Sequence, residues 1–291
     1  MLASTRTRSG GFATFRGLRR HPKLTVSALL LAVIVLVALF APLIAPYDPT
    51  VQDLAHRLSP PFWMDGSDPA HLLGTDGYGR DYLSRLIYGT RVSLLVGACV
   101  TLIAGVIGTV IGITAGYFGG KVDQALMYVI NARLAIPMFL AVMAVVVVFG
   151  ASLLGTVLTL GFFMWDRFVV TVRSRTQQIR SQEFVSAARS VGASHLHILR
   201  KDILPNVIGV IMVIATIEAG AAILLEAALS FLGFGVQDPL ASWGLMLSEA
   251  RDQIFFSPWL IFLPGGAIFA LVLLINLFSD GLRKALDEDS P

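Results

Sequence analysis

Charged residues are scarce in this chain of 291 residues, because Asp, Glu, Lys and Arg together make up only 14% of it. Ordinary soluble domains carry about 25% charged residues. Hydrophobic residues reach 55% here, and the mean hydropathy is +0.75. The composition therefore excludes the two soluble domains that the length alone would allow.

Cysteine and histidine are almost as rare, which argues against disulfides and metal sites. The single Cys99 cannot form an intrachain disulfide, and we interpret it as a small packed apolar residue. The five histidines are scattered and show no HExxH or clustered Cys/His spacing. We therefore expect no bound metal.

A nucleotide-binding P-loop, G-x-x-x-x-G-K-[ST], is also missing. The nearest approach is Gly120-Lys121, but Ala115 stands where the first glycine should be and Val122 where the hydroxyl residue should be. No GxSxG nucleophile motif is present either. We expect the chain not to be an enzyme and to bind no cofactor.

Long apolar runs dominate what is present, and six of them reach the roughly 20 residues that cross a bilayer. They cover residues 24–45, 92–117, 122–150, 152–172, 206–229 and 258–279. The fourth is the least secure, since Asp166 and Arg167 shorten its apolar part. The first is longer than the roughly 7–15 residues of a signal-peptide core, so we interpret it as a retained anchor. The sequence predicts an all-α, polytopic membrane protein.

Lysine and arginine are concentrated before the first span and between the fourth and fifth spans. Positive residues favour the cytoplasmic side, so both segments and both termini are expected there. The predicted organisation is a cytoplasmic basic N-terminus (1–23), a first transmembrane helix (24–46), an extracytoplasmic loop or cap (47–90), a transmembrane core (91–280) and a cytoplasmic tail (281–291).

Two features predict how the spans pack. Gly108, Gly112 and Gly116 recur every fourth residue and leave one face of the second span without side chains, so another helix can approach closely. Pro137 should kink the third span, because it removes a backbone hydrogen bond.

A polar, basic loop, residues 181–205, separates the fourth and fifth spans. Ser181 is expected to cap a short helix, and Glu183 suits the positive first turn. That helix carries an apolar stripe at helical spacing, formed by Phe184, Ala187, Ala188 and Val191.

Gly192 should end this first helix, since glycine accepts the left-handed conformation found there. Ser194 is expected to cap a second helix, which Pro205 closes before the fifth span. Its apolar face is formed by Leu196, Leu199 and Ile203. The loop is thus predicted to be two short amphipathic helices joined at a glycine.

Physical reasoning leaves three roles open for this loop. It could lie among lipid headgroups, cover the spans of its own chain, or dock into a groove of a soluble partner.

The outer loop over 230–257 also has two interpretations. It is a partner-facing or gating segment, or an interfacial hairpin anchored by Trp243 at headgroup depth. Ser242 can cap a short helix there. In the preceding outer loop, Gly74-Thr75-Asp76 is expected to form a turn within a folded cap.

Four stretches together resemble a known family. Ala-Ala-Arg, Gly-Ala-Ser and Ile-Leu-Pro-Asn follow one another in "SAARSVGASHLHILRKDILPN" at 186–206. The other stretches are "HLLGTDGYGRDYLSRLIYGTRVSLLVG" at 71–97, "EAALSFLGFGVQDPLASWGLMLSEAR" at 226–251 and "NLFSDGLRKALDE" at 276–288. They are similar to bacterial ATP-binding-cassette (ABC) importer permeases, specifically the C-type permease of dipeptide and oligopeptide systems, a subgroup that includes nickel and glutathione systems.

The resemblance implies the type I importer permease fold, with six transmembrane helices and cytoplasmic coupling helices that sit in a cleft of an ATPase subunit. The implied coupling residues are Glu183, Ser186, Ala187, Ala188, Arg189, Gly192, Ala193, Ser194 and Leu196. Two positions depart from the family motif: Ser186 replaces the usual Glu, and Asp202 replaces a frequent His.

The resemblance also implies the location and the partners. The expected location is the bacterial cytoplasmic membrane. The expected partners are a second homologous permease, two ABC ATPase subunits or domains that use ATP and Mg²⁺, an extracytoplasmic substrate-binding protein and membrane lipid, with no nucleic acid. The chain would form half of a peptide pathway that opens alternately outward and inward.

Glu218, Pro137 and Asn131 are candidates for that pathway. Glu218 either lines the cavity and meets a peptide amino terminus, or is a structural acid between helices. Asn131, Arg133 and Asn276 are expected to form interhelical hydrogen bonds. A proton-coupled carrier using Glu218 and Asp166 is the rival mechanism, although the chain lacks the extra spans and internal repeats that are usual for carriers.

Overall fold

A computed structural model describes residues 22–288. The named helices are α1 (Pro22–Leu39), α2 (Tyr82–Phe118), α3 (Gly120–Leu134), α4 (Met138–Phe149), α5 (Leu153–Phe163), α6 (Asp166–Arg180), α7 (Glu183–Ser190), α8 (His195–Phe231), α9 (Trp243–Ala250) and α10 (Trp259–Glu288). Within residues 22–288 the β-structure is limited to one isolated bridge, between Thr75 and Asp81. The predicted all-α class is confirmed.

Five helices are long and apolar enough to cross a membrane: α1, α2, the joined pair α5–α6, α8 and α10. A sixth crossing is formed if α3 and α4 are taken as one span, bent by 75° at their junction. The six predicted spans are therefore all present as helices. Most of the predicted basic N-terminus lies outside the described residues.

The bend between α3 and α4 occurs at Pro137, as predicted. Leu134 ends α3, and Pro137 occupies the position before the first residue of α4. Proline disfavours helical backbone at the residue before it, so the helix breaks there instead of curving gently.

The glycine face of α2 packs directly on α6. A Cβ added to Gly108 would lie 2.6 Å from the carbonyl oxygen of Trp165, and one added to Gly116 would lie 2.7 Å from that of Arg173. Backbone atoms cannot move away as a side chain can, so this approach requires glycine. The predicted close helix packing is confirmed.

The outer segment differs from the predicted loop in its length. Helix α2 begins at Tyr82, ten residues before the predicted second span, and the Asp81 carboxylate caps it by accepting the Ser84 N–H at 2.7 Å. Residues 82–90 of the predicted segment are therefore helical. Apolar runs could not show this, because the first turns of α2 contain polar residues.

The interpretation of Trp243 as a headgroup anchor is wrong. Ser242 caps α9 as expected, with the Leu245 N–H donating to its hydroxyl at 3.1 Å. Trp243 is buried, and its indole N–H donates to the Leu86 carbonyl at 3.0 Å. The 230–257 loop is therefore fixed to the outer end of α2.

Candidate functional site

The loop at 181–205 forms the two helices joined by a glycine that the sequence predicts. Helix α7 ends at Ser190, and Gly192 adopts a φ of +81°. Ser194 caps the start of α8, since its hydroxyl accepts the His197 N–H at 3.3 Å.

Two details of the predicted loop are wrong. Ser181 does not cap α7, because its hydroxyl donates to the Gln178 carbonyl at 2.8 Å, one turn back in α6. Pro205 does not close the unit either. Helix α8 runs without a break from His195 through a π-helical turn at Leu199–Ile203 into the fifth span. Pro205 comes just after the π-helical turn, and this local change in the hydrogen-bond pattern accommodates a residue that has no N–H to donate.

The loop is held to the membrane helices by a small buried cluster. Val185 from α7 and Ile198 and Ile203 from α8 are fully buried. They pack with Tyr117, Ile179 and Val207. The Tyr117 hydroxyl lies 2.9 Å from His195 Nδ1, which ties the end of α2 to the start of α8.

The apolar stripe predicted for α7 is largely exposed, whereas of the face predicted for α8 only Leu196 is exposed, because Leu199 and Ile203 pack in the buried cluster. Phe184 is 44% exposed, Leu196 57% and Val191 85%. Among the other predicted coupling residues, Ala188 and Ala193 are half-buried, and the exposed ones are Glu183, Ser186, Ala187, Arg189, Gly192 and Ser194. The structure thus places this set on one continuous loop, with its apolar side chains available to a partner.

The pathway candidates are not brought together. Glu218 is buried, and its carboxylate accepts from Arg167 Nη1 at 3.1 Å. Asn131 and Pro137 are exposed, and within residues 22–288 the amide of Asn131 makes no hydrogen bond to another helix. The same holds for Asn276, so the interhelical bonds predicted for the two asparagines do not form within this chain. Arg133 does bridge helices, with Nη1 3.3 Å from Asp166 Oδ2.

A buried ionic network joins the outer cap to the last outer loop, and sequence reasoning missed it. Arg80 donates from Nε to Asp76 at 2.6 Å, from Nη1 to Asp238 at 2.5 Å and from Nη2 to Glu249 at 2.8 Å. Arg85 Nη1 contacts both Asp76 and Glu249. Burial acts to lower the pKa of Arg80, but the charges of Asp76 and Glu249 outweigh it and raise that pKa.

No local motif connects these positions, since more than 150 residues separate Arg80 from Asp238 and Glu249. The only signal in the sequence was that the 230–257 loop carries acids and the 47–90 segment carries arginines, which could pair. The network fixes the cap against α9 on the outer side of the bundle.

Comparisons with known proteins agree with this arrangement. Residues 108–289 match the family described as "Binding-protein-dependent transport system inner membrane component". Residues 13–61 match the "N-terminal TM domain of oligopeptide transport permease C".

Curated relatives extend over nearly the whole chain. A di/tripeptide transport system permease protein, DppC, of Pseudomonas aeruginosa is 41% identical, covering 92% of this chain and 88% of the relative. The dipeptide permease DppC of Haemophilus influenzae is 38% identical, covering 90% and 89%. A glutathione transport system permease protein, GsiD, of Pectobacterium atrosepticum is 36% identical, covering 94% and 88%.

Solved structures show the same fold at low sequence identity. A chain of the inward-facing MetNI methionine ABC transporter matches with a TM-score of 0.58 and 18% identity, covering 70% of this chain and 97% of that one. The type I importer permease fold is thereby confirmed, and the permease interpretation is favoured over the proton-coupled carrier. The chain belongs to the binding-protein-dependent transport system inner membrane components, the multi-pass permeases of bacterial ABC importers.

Proposed function

We propose that this chain is one of two permease subunits in an ATP-driven peptide importer, and that its 181–205 loop is the contact with an ATPase subunit. The second permease completes the pathway. Two ATPase subunits hydrolyse Mg²⁺-ATP, and an extracytoplasmic binding protein delivers the peptide.

The observation that carries the proposal is the exposure of Phe184, Val191 and Leu196 on a loop that is held to the bundle by other, fully buried apolar residues. A loop that only covered its own spans would bury this stripe. Short helices with an exposed apolar face are the usual ligands of a groove in a folded partner. The arginines of the same loop and of α6 favour its location on the cytoplasmic side, which also supports cytoplasmic termini.

Leu196→Asp is expected to abolish capture of the ATPase subunits when the complex is purified through a tag on this chain. ATP-dependent uptake should fall at least about tenfold, the usual effect of losing a central apolar contact in an interface. The fold should persist, because Leu196 lies on the exposed side of α8.

Leu54→Asp is the matched control, since Leu54 is similarly exposed but lies in the outer segment. It should leave ATPase capture unchanged. Normal ATPase capture by Leu196→Asp, or an equal loss with Leu54→Asp, would refute the assignment of the loop.

Peptides are proposed as the substrate class because the relatives named for dipeptides, di/tripeptides and glutathione are 36–41% identical to this chain. In cells that carry all subunits, unlabelled di- and tripeptides should compete with uptake of a labelled dipeptide, and nickel should not. A protonophore should leave that uptake intact while ATP is maintained. Competition by nickel alone, or collapse with the protonophore, would contradict the proposal.

A further inference from the structure

Four ionisable side chains lie at the same depth in the bundle. Arg133, Asp166, Arg167 and Glu218 each stand 13–14 residues from the cytoplasmic end of their helical segment, at Gly120, Arg180 or Leu204. A rise of about 1.5 Å per residue places them roughly 20 Å from those helix ends. Charges at this depth are costly and are retained for a function.

Three of these four side chains are shielded by the protein, and the fourth is not. The side chains of Arg133 and Asp166 are 14% and 19% exposed, and that of Glu218 is 4% exposed. The side chain of Arg167 is 65% exposed. The exposed group among these four side chains is therefore positively charged, although their formal charges sum to zero.

The exposed guanidinium has unused donors. An arginine side chain has five N–H donors, and among the described residues Arg167 uses one, from Nη1 to Glu218. The buried carboxylate of Glu218 holds one nitrogen of the group, and the arginine side chain is otherwise largely exposed. A cation facing hydrocarbon at this depth is strongly unfavourable, so Arg167 must face a water-filled cavity or an anionic group.

We propose that Arg167 binds a carboxylate group of the translocated peptide, and that Glu218 is the residue that positions it. This inference rests on the proposed function. A planar guanidinium recognises a carboxylate through two parallel hydrogen bonds, which no amide or hydroxyl reproduces. The sequence suggested that Glu218 could bind the amino terminus of a peptide. The structure does not favour that role, because Glu218 is buried behind Arg167 and is not accessible to a peptide.

Equilibrium binding to the purified complex of both permeases and the ATPases tests the proposal without the binding protein. The probes are a fluorescent dipeptide with a free C-terminal carboxylate and the same dipeptide with a C-terminal amide. The wild-type complex should bind the free acid roughly tenfold more tightly, as expected for a charged hydrogen-bonded contact. Arg167→Gln should remove this preference, and Arg167→Lys should retain part of it.

Glu218→Gln should weaken the preference to an intermediate extent, because the guanidinium keeps its charge but loses its fixed orientation. Subunit assembly should be normal in Arg167→Gln, since the side chain is not part of the 181–205 loop. These two measurements separate cargo recognition from a packing role.

Three results would overturn the proposal. The first is that Arg167→Gln keeps the full preference for the free acid. The second is that this variant weakens binding of both probes equally or blocks assembly, which would assign Arg167 to the contact between permeases. The third is that wild type binds neither probe at the highest soluble concentration while peptide uptake is normal. If wild-type uptake of peptides is itself absent, it is the proposed function that fails.

Discussion

Asp76→Asn is expected to lower the free energy of unfolding by roughly 3–5 kcal/mol, the usual cost of removing one partner from a buried ion pair. The Asp76 carboxylate is shared by Arg80 and Arg85, whose side chains are almost fully buried. Asparagine would replace its charge with an amide and leave two positive groups facing each other. Thermal unfolding of the purified complex, followed by loss of the assembled species, measures the effect.

Asp252→Asn is the matched control for this change. Asp252 lies in the same outer region and pairs with Arg251 at 3.7 Å, but both side chains are well exposed. Exposed ion pairs contribute about 0–1 kcal/mol to stability, so the midpoint of thermal unfolding should change very little. Similar shifts for the two variants would show that the buried network contributes little to stability.

Gly108→Ala is expected to destabilise the bundle by roughly 1–3 kcal/mol, the range found when atoms are forced into a packed core. The new Cβ would lie 2.4 Å from the Cβ of Phe168 and 2.6 Å from the Trp165 carbonyl oxygen, so α2 and α6 must separate. Because α2 contacts α6 from Gly105 to Gly116, the change should disturb the packing of both helices, so peptide uptake should fall together with thermal stability.

Gly105→Ala provides the comparison one turn earlier on the same face. Its Cβ would meet only the ring of Phe168, at an ordinary contact distance of 3.4 Å. Alanine favours helix over glycine by about 1 kcal/mol, so this variant should be neutral or slightly more stable. The glycine-packing argument would fail if Gly105→Ala were as damaging as Gly108→Ala.

Features that depend on neighbouring residues were predictable from the sequence. The apolar runs located the five spanning helices and the bent pair of α3 and α4, and Pro137 located the break in that pair. The glycine spacing predicted a closely packed face on α2 but not that α6 packs there. The loop with two helices joined at Gly192 followed from its capping residues and apolar spacing.

Features that depend on distant residues were not predictable. The network around Arg80 joins positions more than 150 residues apart. The burial of Trp243 depends on a carbonyl group in α2. The sequence also drew attention to Glu218 and not to Arg167, because periodicity does not reveal which member of an ion pair faces outward.

The unbroken course of α8 has a mechanical consequence. Its outer end contacts the 230–257 loop, where the Val236 N–H donates to the Ser230 hydroxyl at 2.9 Å and Gly244 packs on Ala227, while His195 stands at the other end. If that outer end acts as a pivot, α8 moves as a lever, and Glu218 lies about a third of the way from the pivot to His195. A displacement of the end at His195 then shifts Glu218 by about a third of that distance, so large movements of the 181–205 loop accompany small adjustments at the pair of Arg167 and Glu218.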